Sequence, residues 1–455
     1  MVISAQILKP ALAQKTGARR TGRRVALLAR YPERDGAMPQ FISNHGMRMV
    51  EASLRAARLD GLDLRIWDLS GGTVDALTME LLDFDPDLVG FSTYIWSFPF
   101  FVDVAKLIKE DDPGRLIVFG GPSARPSMME LVPFREARAW VDALVINDGE
   151  QTFVEIVAAH DRSAKALMQI AGLALPGPVG WADTPNRPAV DLNELPSPYE
   201  MNLVPHGGLA VLQTYRGCPF TCSFCEWGTL ESPKRVRGVE QLRLELTGME
   251  RNEVVGALLV DAGLNLNPHG FRSLRDAADK HGFFEGRHLI CEVYPAKVQP
   301  EHIAFLGSVG QALVGIGLQS FDNNVLAHVE RSYDEARFEK TLYELKEVAG
   351  VAVEIIMGLP GDSPENFRKS FERARSLPVA LRVYHCVVLP SALMVRAPAH
   401  YRMDYDPLSL KMRSCLGWSE QALQTECNFV TRCAEREGGR TGQFFWIFPG
   451  PGSPH

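Results

Sequence analysis

Cys218, Cys222 and Cys225 crowd into the stretch GCPFTCSFC, residues 217–225, of a 455-residue chain that has only eight cysteines. Three thiolates in one short loop limit the chemistry. A disulfide uses two and strands the third. A structural zinc ion normally takes four ligands, yet the next cysteine, Cys291, is remote and no histidine completes a knuckle spacing. A cubane iron–sulfur cluster fits the count, with three irons held by protein and the fourth open to a ligand. Zinc and incidental clustering are the rival readings of the spacing.

Two runs of alternating apolar and amphipathic segments supply the elements that position this loop. VALLAR (25–30), LDLRIWDL (62–69), PDLVGFSTY (86–94), RLIVFGG (115–121) and DALVINDG (142–149) read as five buried strands with helices between them. That pattern predicts a doubly wound, Rossmann-like α/β domain over 23–170, with ligand contacts beyond the carboxyl ends of its strands. Residues 171–205 are proline-rich without helical period and read as a linker. A second alternation over 206–392 offers LAVLQTY, VGALLVDA, HLICEVY, ALVGIGLQ, VAVEIIMG and LRVYHCVVL as strands. Six β/α units predict a partial parallel (β/α)6 barrel with chemistry at the strands' carboxyl ends, and the cysteine loop follows its first strand. Residues 393–455 read as a small C-terminal region, and 1–22 as a flexible basic tail.

Composition narrows the partners. The net charge of −7 gives no electrostatic footprint for nucleic acid and no basic block for a membrane surface. No run of about 18 apolar residues occurs, so no transmembrane helix is expected. The N-terminal apolar stretch is short, interrupted by Lys9 and Pro10, and followed rather than preceded by most of its basic residues, the wrong order for a secretory signal. Few, irregularly spaced cysteines argue for reduced thiols and a cytoplasmic location.

With its CxxxCxxC loop behind a first barrel strand and Phe224 before the last cysteine, the second region resembles the radical S-adenosylmethionine superfamily, in its coproporphyrinogen dehydrogenase-like branch. The resemblance implies a 4Fe-4S cluster on Cys218, Cys222 and Cys225. It also implies S-adenosylmethionine contacts from Phe224, Glu292 in ICEVYP, Gln319 and Ser320 in GIGLQSFD, Arg331 twelve residues further on, and Glu354 ahead of GLPGDSPENF. Arg331 would hold the ligand's carboxylate, and Glu292, Gln319 and Glu354 its ribose. The usual glycine-rich motif is replaced by VDAGLN, which offers Asp261 and Gly263 near the ligand's amino group. Taken singly, each residue has a plain structural reading; their order behind successive strands carries the resemblance.

A doubly wound domain, then DLNELPSPYE, then the cysteine loop resembles the cobalamin-binding class of these enzymes. That class implies cobalamin contacts from Ser92, Thr93 and Tyr94 in VGFSTYIWSF, from Gly120 and Gly121, and from Gly149. The Asp-x-His-x-x-Gly motif that supplies a histidine ligand to cobalt is missing from ARYPERDGAMPQFISNHG, and His45 reads as a helix-entry residue. The resemblance therefore implies cobalamin with no protein imidazole on cobalt.

The expected activity is methylation of an unactivated carbon on a small-molecule or natural-product substrate, with a flavodoxin or ferredoxin as reductant. Such an enzyme would release both S-adenosylhomocysteine and 5′-deoxyadenosine. The alternatives are a non-methylating rearrangement, cyclisation, oxidation or aminocarboxypropyl transfer, or a non-catalytic cluster- or corrinoid-binding protein. Cys415, Cys427 and Cys433 are spaced too widely for a second compact ligand set, Cys386 and His385 fall on the last barrel strand, and FFWIFPGPG (444–452) reads as an apolar packing tail.

Overall fold

The computed structural model describes residues 20–31, 43–229 and 235–450. The N-terminal segment 1–19 and residues 32–42, which hold most of the stretch lacking the histidine motif, lie outside the described residues. The chain forms two compact units that divide in the main after Pro188.

In the first unit, β1 (Arg24–Arg30), β2 (Asp63–Leu69), β3 (Leu88–Ser92), β4 (Leu116–Gly120) and β5 (Ala143–Val145) form a parallel sheet. The strand order β2-β1-β3-β4-β5 is that of a doubly wound fold. Both faces of the sheet are covered, so the strands are apolar throughout: Val25, Leu27, Leu88, Leu116 and Val118 are buried on one face, Phe91 and Phe119 on the other. Helices start where short polar side chains satisfy free amides; the Asn44 side chain caps His45–Ala56 and Thr73 caps Val74–Phe84.

The segment expected as a linker, 171–205, is folded. Its first part forms β6 (Leu173–Pro176) and β7 (Trp181–Asp183), which extend the first sheet in antiparallel fashion beyond β5. Its last part belongs to the second unit, where the Tyr199 hydroxyl accepts the Val211 amide at 2.7 Å. Proline blocks helix but suits edge strands and turns, so a proline-rich composition says little about packing.

The second unit centres on six parallel strands: β8 (Leu209–Leu212), β11 (Gly256–Leu259), β12 (His288–Val293), β13 (Gln311–Gln319), β14 (Gly350–Met357) and β15 (Ala380–His385). Between β8 and β11 the chain makes a small ribbon of β9 (Tyr215–Arg216) and β10 (Arg235–Val236) that flanks the cysteine loop. Past β15, β16 (Asp404–Tyr405) pairs with β17 (Met412–Ser414). Then β18 (Arg440–Thr441) and β19 (Phe445–Phe448) add two antiparallel strands beyond β15, so the sheet does not close into a barrel. The apolar tail expected over 444–452 thus mainly forms β19, paired on one side to β15 and on the other to β18, with Trp446 and Phe448 buried.

Period-2 alternation sorts the side chains. In β12, Leu289, Cys291 and Val293 are buried with the helices, and Glu292 takes the opposite, concave face. The same parity puts Gly315 and Gly317 of β13, Glu354 of β14, and Arg382 and Tyr384 of β15 on the concave face.

One charge pair lies fully inside this unit. Arg237 Nη1 contacts Glu245 at 2.7 Å, with both side chains 1% exposed. Removing one partner strands the other in a medium that cannot solvate it. Arg237→Met is therefore expected to cost about 3–5 kcal/mol in denaturant unfolding, while Arg237→Met with Glu245→Leu recovers most of the loss. An unchanged midpoint in the single variant contradicts this account of the pair.

Candidate active site

The cysteine loop leaves the carboxyl end of β8 and is braced at its root. Asp261, just past β11, accepts the Thr214 amide at 2.8 Å and the Tyr215 amide at 3.3 Å on Oδ1, and the Thr214 hydroxyl on Oδ2. Burial, against those hydrogen bonds, pushes the Asp261 carboxyl up to about 7. Its oxygens are thus engaged by the loop root, so Asp261 acts first as a brace and not as an open acceptor for a ligand amine. Within the loop the Cys225 amide donates to the Cys222 carbonyl at 3.0 Å, which closes a tight turn between the two cysteines.

All three cysteines line one cavity of about 190 Å³. Phe224, Asp261, Glu292, Gln319, Arg331 and Glu354 line it with them, spread over 130 positions from Phe224 to Glu354 on β14. Gly263 and Ser320 do not line it. The Gly263 carbonyl accepts the Tyr215 hydroxyl at 2.7 Å, and the buried Ser320 accepts the Asp322 amide at 3.1 Å, shaping the turn after β13.

Gln319 reaches the cavity through a local irregularity. The β13–β14 register shifts between Gly317 and Gln319, and Gln319 has φ +76°. The bulge turns the amide inward, and a Cβ on Gly317 would lie 2.7 Å from Gln319 Nε2. Gly317 is therefore a space requirement of the site. Its carbonyl accepts a short hydrogen bond from Arg331 Nη2, while Arg331 Nη1 lies 3.7 Å from Cys222 Sγ. The guanidinium carbon sits 5.1 Å from the centre of the Tyr294 ring. Tyr294 is held in turn by Asn265, whose side chain accepts its amide at 2.9 Å and donates to its carbonyl at 2.8 Å.

Two carboxylates share the floor. Arg382 Nη1 is 3.0 Å from Glu354 Oε1 and 4.0 Å from Glu292 Oε1, and the Tyr384 hydroxyl donates to Glu354 at 3.3 Å. Burial first, and then the Glu354 charge, push the Glu292 carboxyl up to about 8. The side chain keeps 43% of its surface open, so water in the cavity moderates that push. Tyr294, Arg382, Tyr384 and Asn265 were absent from the sequence-based set. Strand parity in LRVYHC was the available signal for Arg382 and Tyr384; nothing local marked Tyr294 or Asn265.

The donor set fits the cluster and its ligand. Three thiols open into one cavity that also presents a guanidinium, an amide and two carboxylates, the partners that a cationic amino acid with a ribose requires. Among the described residues, no three His, Cys, Asp or Glu side chains are grouped to hold a single metal ion. A cubane does not ask for such a group, since its thiolates meet separate irons.

In the first unit, Ser92 and Gly120 are register neighbours at the carboxyl ends of β3 and β4. The Ser92 hydroxyl donates to Asn44 Oδ1 at 3.2 Å, and the Tyr94 ring stacks on Trp96 at 4.6 Å. Gly149 precedes the helix Glu150–Ala158 after β5. Gly120 and Gly149 have room for a Cβ at ordinary contact distances, so neither is a glycine for the sake of internal packing. Two of the expected cobalamin contacts are different. Thr93 is fully buried with its hydroxyl donating to the Gly120 carbonyl at 2.9 Å. Gly121 has φ +90°, and a Cβ there would lie 2.7 Å from the Thr93 carbonyl oxygen. Both serve the β3–β4 connection. Ser92, Tyr94, Gly120 and Gly149 lie at or just past the carboxyl ends of β3, β4 and β5, where such folds take ligands, which fits a large cofactor.

Of the remaining cysteines, Cys386, Cys415 and Cys433 are buried in an apolar cluster and lie off the cavity. His385 is also buried, and burial lowers it to about 4.

Comparison with known proteins finds both domains. The Radical SAM superfamily model matches residues 212–374, and the B12 binding domain model matches residues 37–157. The 2-(S-pantetheinyl)-carbapenam-3-carboxylate methyltransferase of Streptantibioticus cattleyicolor is 29% identical over 337 residues, covering 68% of this chain and 48% of that protein. The cobalamin-dependent radical SAM methyltransferase TokK of Streptomyces tokunonensis is 28% identical over 335 residues, with the same coverage. The chain spans about half the length of these curated relatives. Among solved structures, the radical S-adenosylmethionine methyltransferase TsrM of Kitasatospora setae, with cobalamin and a [4Fe-4S] cluster bound, aligns with TM-score 0.62 at 17% identity, covering 85% of this chain and 81% of that one. The cobalamin-dependent S-adenosylmethionine radical enzyme OxsB, with aqua-cobalamin and S-adenosylmethionine bound, aligns with TM-score 0.67 at 14% identity, covering 91% and 67%; at these identities the likeness concerns the fold. Cluster, S-adenosylmethionine and cobalamin are the cofactors these domains imply, and the chain carries a B12 binding domain ahead of a radical SAM domain.

Proposed function

We propose that this protein is a cobalamin-dependent methyltransferase that methylates an unactivated carbon of a small molecule. The observation that carries the reading is the single cavity shared by Cys218, Cys222, Cys225, Glu292, Gln319, Arg331 and Glu354 in a chain that also has a B12 binding domain. The two relatives named above are methyltransferases, one of them named for a carbapenam carboxylate, which favours a small-molecule substrate. No helix among the described residues is long and apolar enough to cross a membrane; a cytoplasmic location and a flavodoxin- or ferredoxin-type reductant accompany the proposal.

When bound, the cluster supplies an electron to the sulfonium ligand and cobalamin supplies the methyl group. The chain's own residues bind and orient. Arg331 offers its fork to the ligand's carboxylate, and Gln319 and Glu354 address the ribose hydroxyls. Arg382 and Tyr384 fix Glu354 from behind by charge and hydrogen bond, so its second oxygen is left for the ligand. Phe224 and Phe220 restrict water around the loop. Ser92 and Tyr94 would meet the cobalamin's nucleotide tail at the carboxyl end of β3.

The Glu292 carboxyl gives a pH signature. Its proton is held up to about pH 8, and a cationic ligand favours the ionised form, so binding releases a proton below that point. Affinity for S-adenosylmethionine is expected to rise between about pH 6.5 and 8 and to level off above. For folding the sign is opposite: the native state keeps a proton that the unfolded chain loses near its ordinary pKa of about 4.5, so this group's contribution to stability falls as pH rises toward 8. Titration calorimetry in buffers of different ionisation enthalpy reads the released proton. Glu292→Gln should bind with little pH dependence over that window, and an unchanged slope in this variant refutes the assignment.

The decisive test of the activity is anaerobic reconstitution with iron, sulfide and hydroxocobalamin, followed by spectra and nucleoside analysis with candidate substrates. Methyl transfer predicts corrinoid absorbance together with S-adenosylhomocysteine and 5′-deoxyadenosine. Deoxyadenosine without S-adenosylhomocysteine moves the assignment to a non-methylating outcome.

A further inference from the structure

The cysteine loop is held from a second direction by residues that lie far along the chain. Just after β15, the segment Ser391–Arg396 lies against it. The Ser391 amide donates to Glu226 Oε1 at 3.0 Å. Arg396 Nη1 donates to the Thr221 carbonyl at 3.1 Å, and Nη2 donates to the carbonyls of Cys222 at 3.0 Å and Cys225 at 2.5 Å. One guanidinium thus gathers three loop carbonyls, two of them from expected cluster ligands. The Cys222 carbonyl also closes the turn to the Cys225 amide, so the same oxygen carries both the turn and the clamp. Arg396 is half-buried and comes from a short helix, Leu393–Arg396, whose own last turn is fixed by the Arg396 amide on the Ala392 carbonyl at 2.9 Å.

Three carbonyl dipoles turned toward a cation are a costly arrangement unless that cation is present. The fork also matches the task, because a planar guanidinium spans several fixed acceptors where an ammonium is a point charge. We infer that Arg396 is a positioning residue for the iron–sulfur site, one that holds the Thr221–Cys225 backbone in its ligating conformation and places a permanent positive charge beside the cluster. This rests on the cluster reading proposed above. It assigns a role to the region beyond the parallel strands, which the sequence left without one. A neighbouring cation favours the more negative, reduced cluster, so its removal lowers the reduction potential. Loss of the fork frees the loop, so the cluster is retained less well.

The test uses the full chain and three proteins: wild type, Arg396→Met and Arg396→Lys. Each is reconstituted anaerobically with iron and sulfide, desalted, and assayed for bound iron, for the electron paramagnetic resonance spectrum of the reduced cluster, and for midpoint potential by dye-mediated titration. Circular dichroism checks the fold. The Met variant is expected to retain roughly a third or less of the wild-type iron and to show a lower midpoint potential with an altered spectrum. The Lys variant keeps the charge and loses the fork, so its potential should stay near wild type while its iron retention falls. Wild-type iron content, potential and spectrum in Arg396→Met overturn the clamp alone. A wild-type chain that takes up no cluster overturns the cluster reading and the clamp with it. If the Met variant does not fold, the Lys variant decides: full iron retention there refutes the requirement for the fork.

Discussion

Alanine in place of Cys218, Cys222 and Cys225 together is expected to give a folded protein whose reconstituted iron falls to roughly a tenth of wild type or less, with no visible cluster absorbance and no cleavage of S-adenosylmethionine. The three thiols line one cavity, and no other cysteine lines it. The fold should survive, because none of the three cysteines belongs to the apolar clusters of the second unit, which are built from β-strand and helix side chains such as Leu212, Leu289, Val353 and Phe371. The informative control is Cys415→Ala. Cys415 is buried in an apolar cluster, and burial pushes its thiol up to about 12, so it is a packing residue and not a thiolate ligand. That variant should load iron as wild type does. Equal iron in the triple variant and the wild type would end the cluster assignment, whatever the comparisons say of the fold.

The second large effect is expected at Arg331. With the cluster in place, Arg331→Met should weaken binding of S-adenosylmethionine roughly tenfold to a hundredfold, the loss expected of a charge-assisted hydrogen bond of about 1.5–3 kcal/mol. The guanidinium is oriented on three sides: by the Gly317 carbonyl, by the Tyr294 ring, and by the Cys222 sulfur at 3.7 Å. That fixed position separates it from an ordinary solvated arginine. Arg331→Lys keeps the charge without the fork and should fall between the two. Equilibrium dialysis on cluster-loaded protein, with bound iron measured in the same samples, separates lost ligand affinity from lost cluster. Wild-type affinity in the Met variant removes Arg331 from the ligand's contacts. The Glu292 and Arg237 variants described above are expected to have smaller effects, on pH dependence and on stability respectively.

The two sites differ in how much of their design is local. Cys218, Cys222 and Cys225 lie in one loop, so residue type and spacing alone name them. Glu292 and Glu354 were named by the family resemblance, since singly each has a plain structural reading; strand parity then accounts for why both reach the concave face. The six parallel strands of the second unit and the five parallel strands of the first were legible because apolar periodicity is a property of the chain. Composition misled where it was asked about packing. A proline-rich stretch became β6 and β7, and an apolar tail became β19, because pairing to an open sheet edge depends on what else is nearby and leaves little trace in a short segment.

What the sequence determined by itself was the order of elements and the trio of thiols, since these follow from periodicity and from residue chemistry; the polar residues at successive strand ends came through the family resemblance. What only the tertiary structure decided was which of those groups are free to act. It showed Asp261 bound to the loop root, Thr93 and Gly121 engaged in the β3–β4 connection, Gln319 turned inward by a bulge, and Arg396 reaching the loop from 171 residues away at Cys225. Each of these depends on contacts between segments distant in the chain, where hydrogen-bond demand and close packing, and not local pattern, choose the partner.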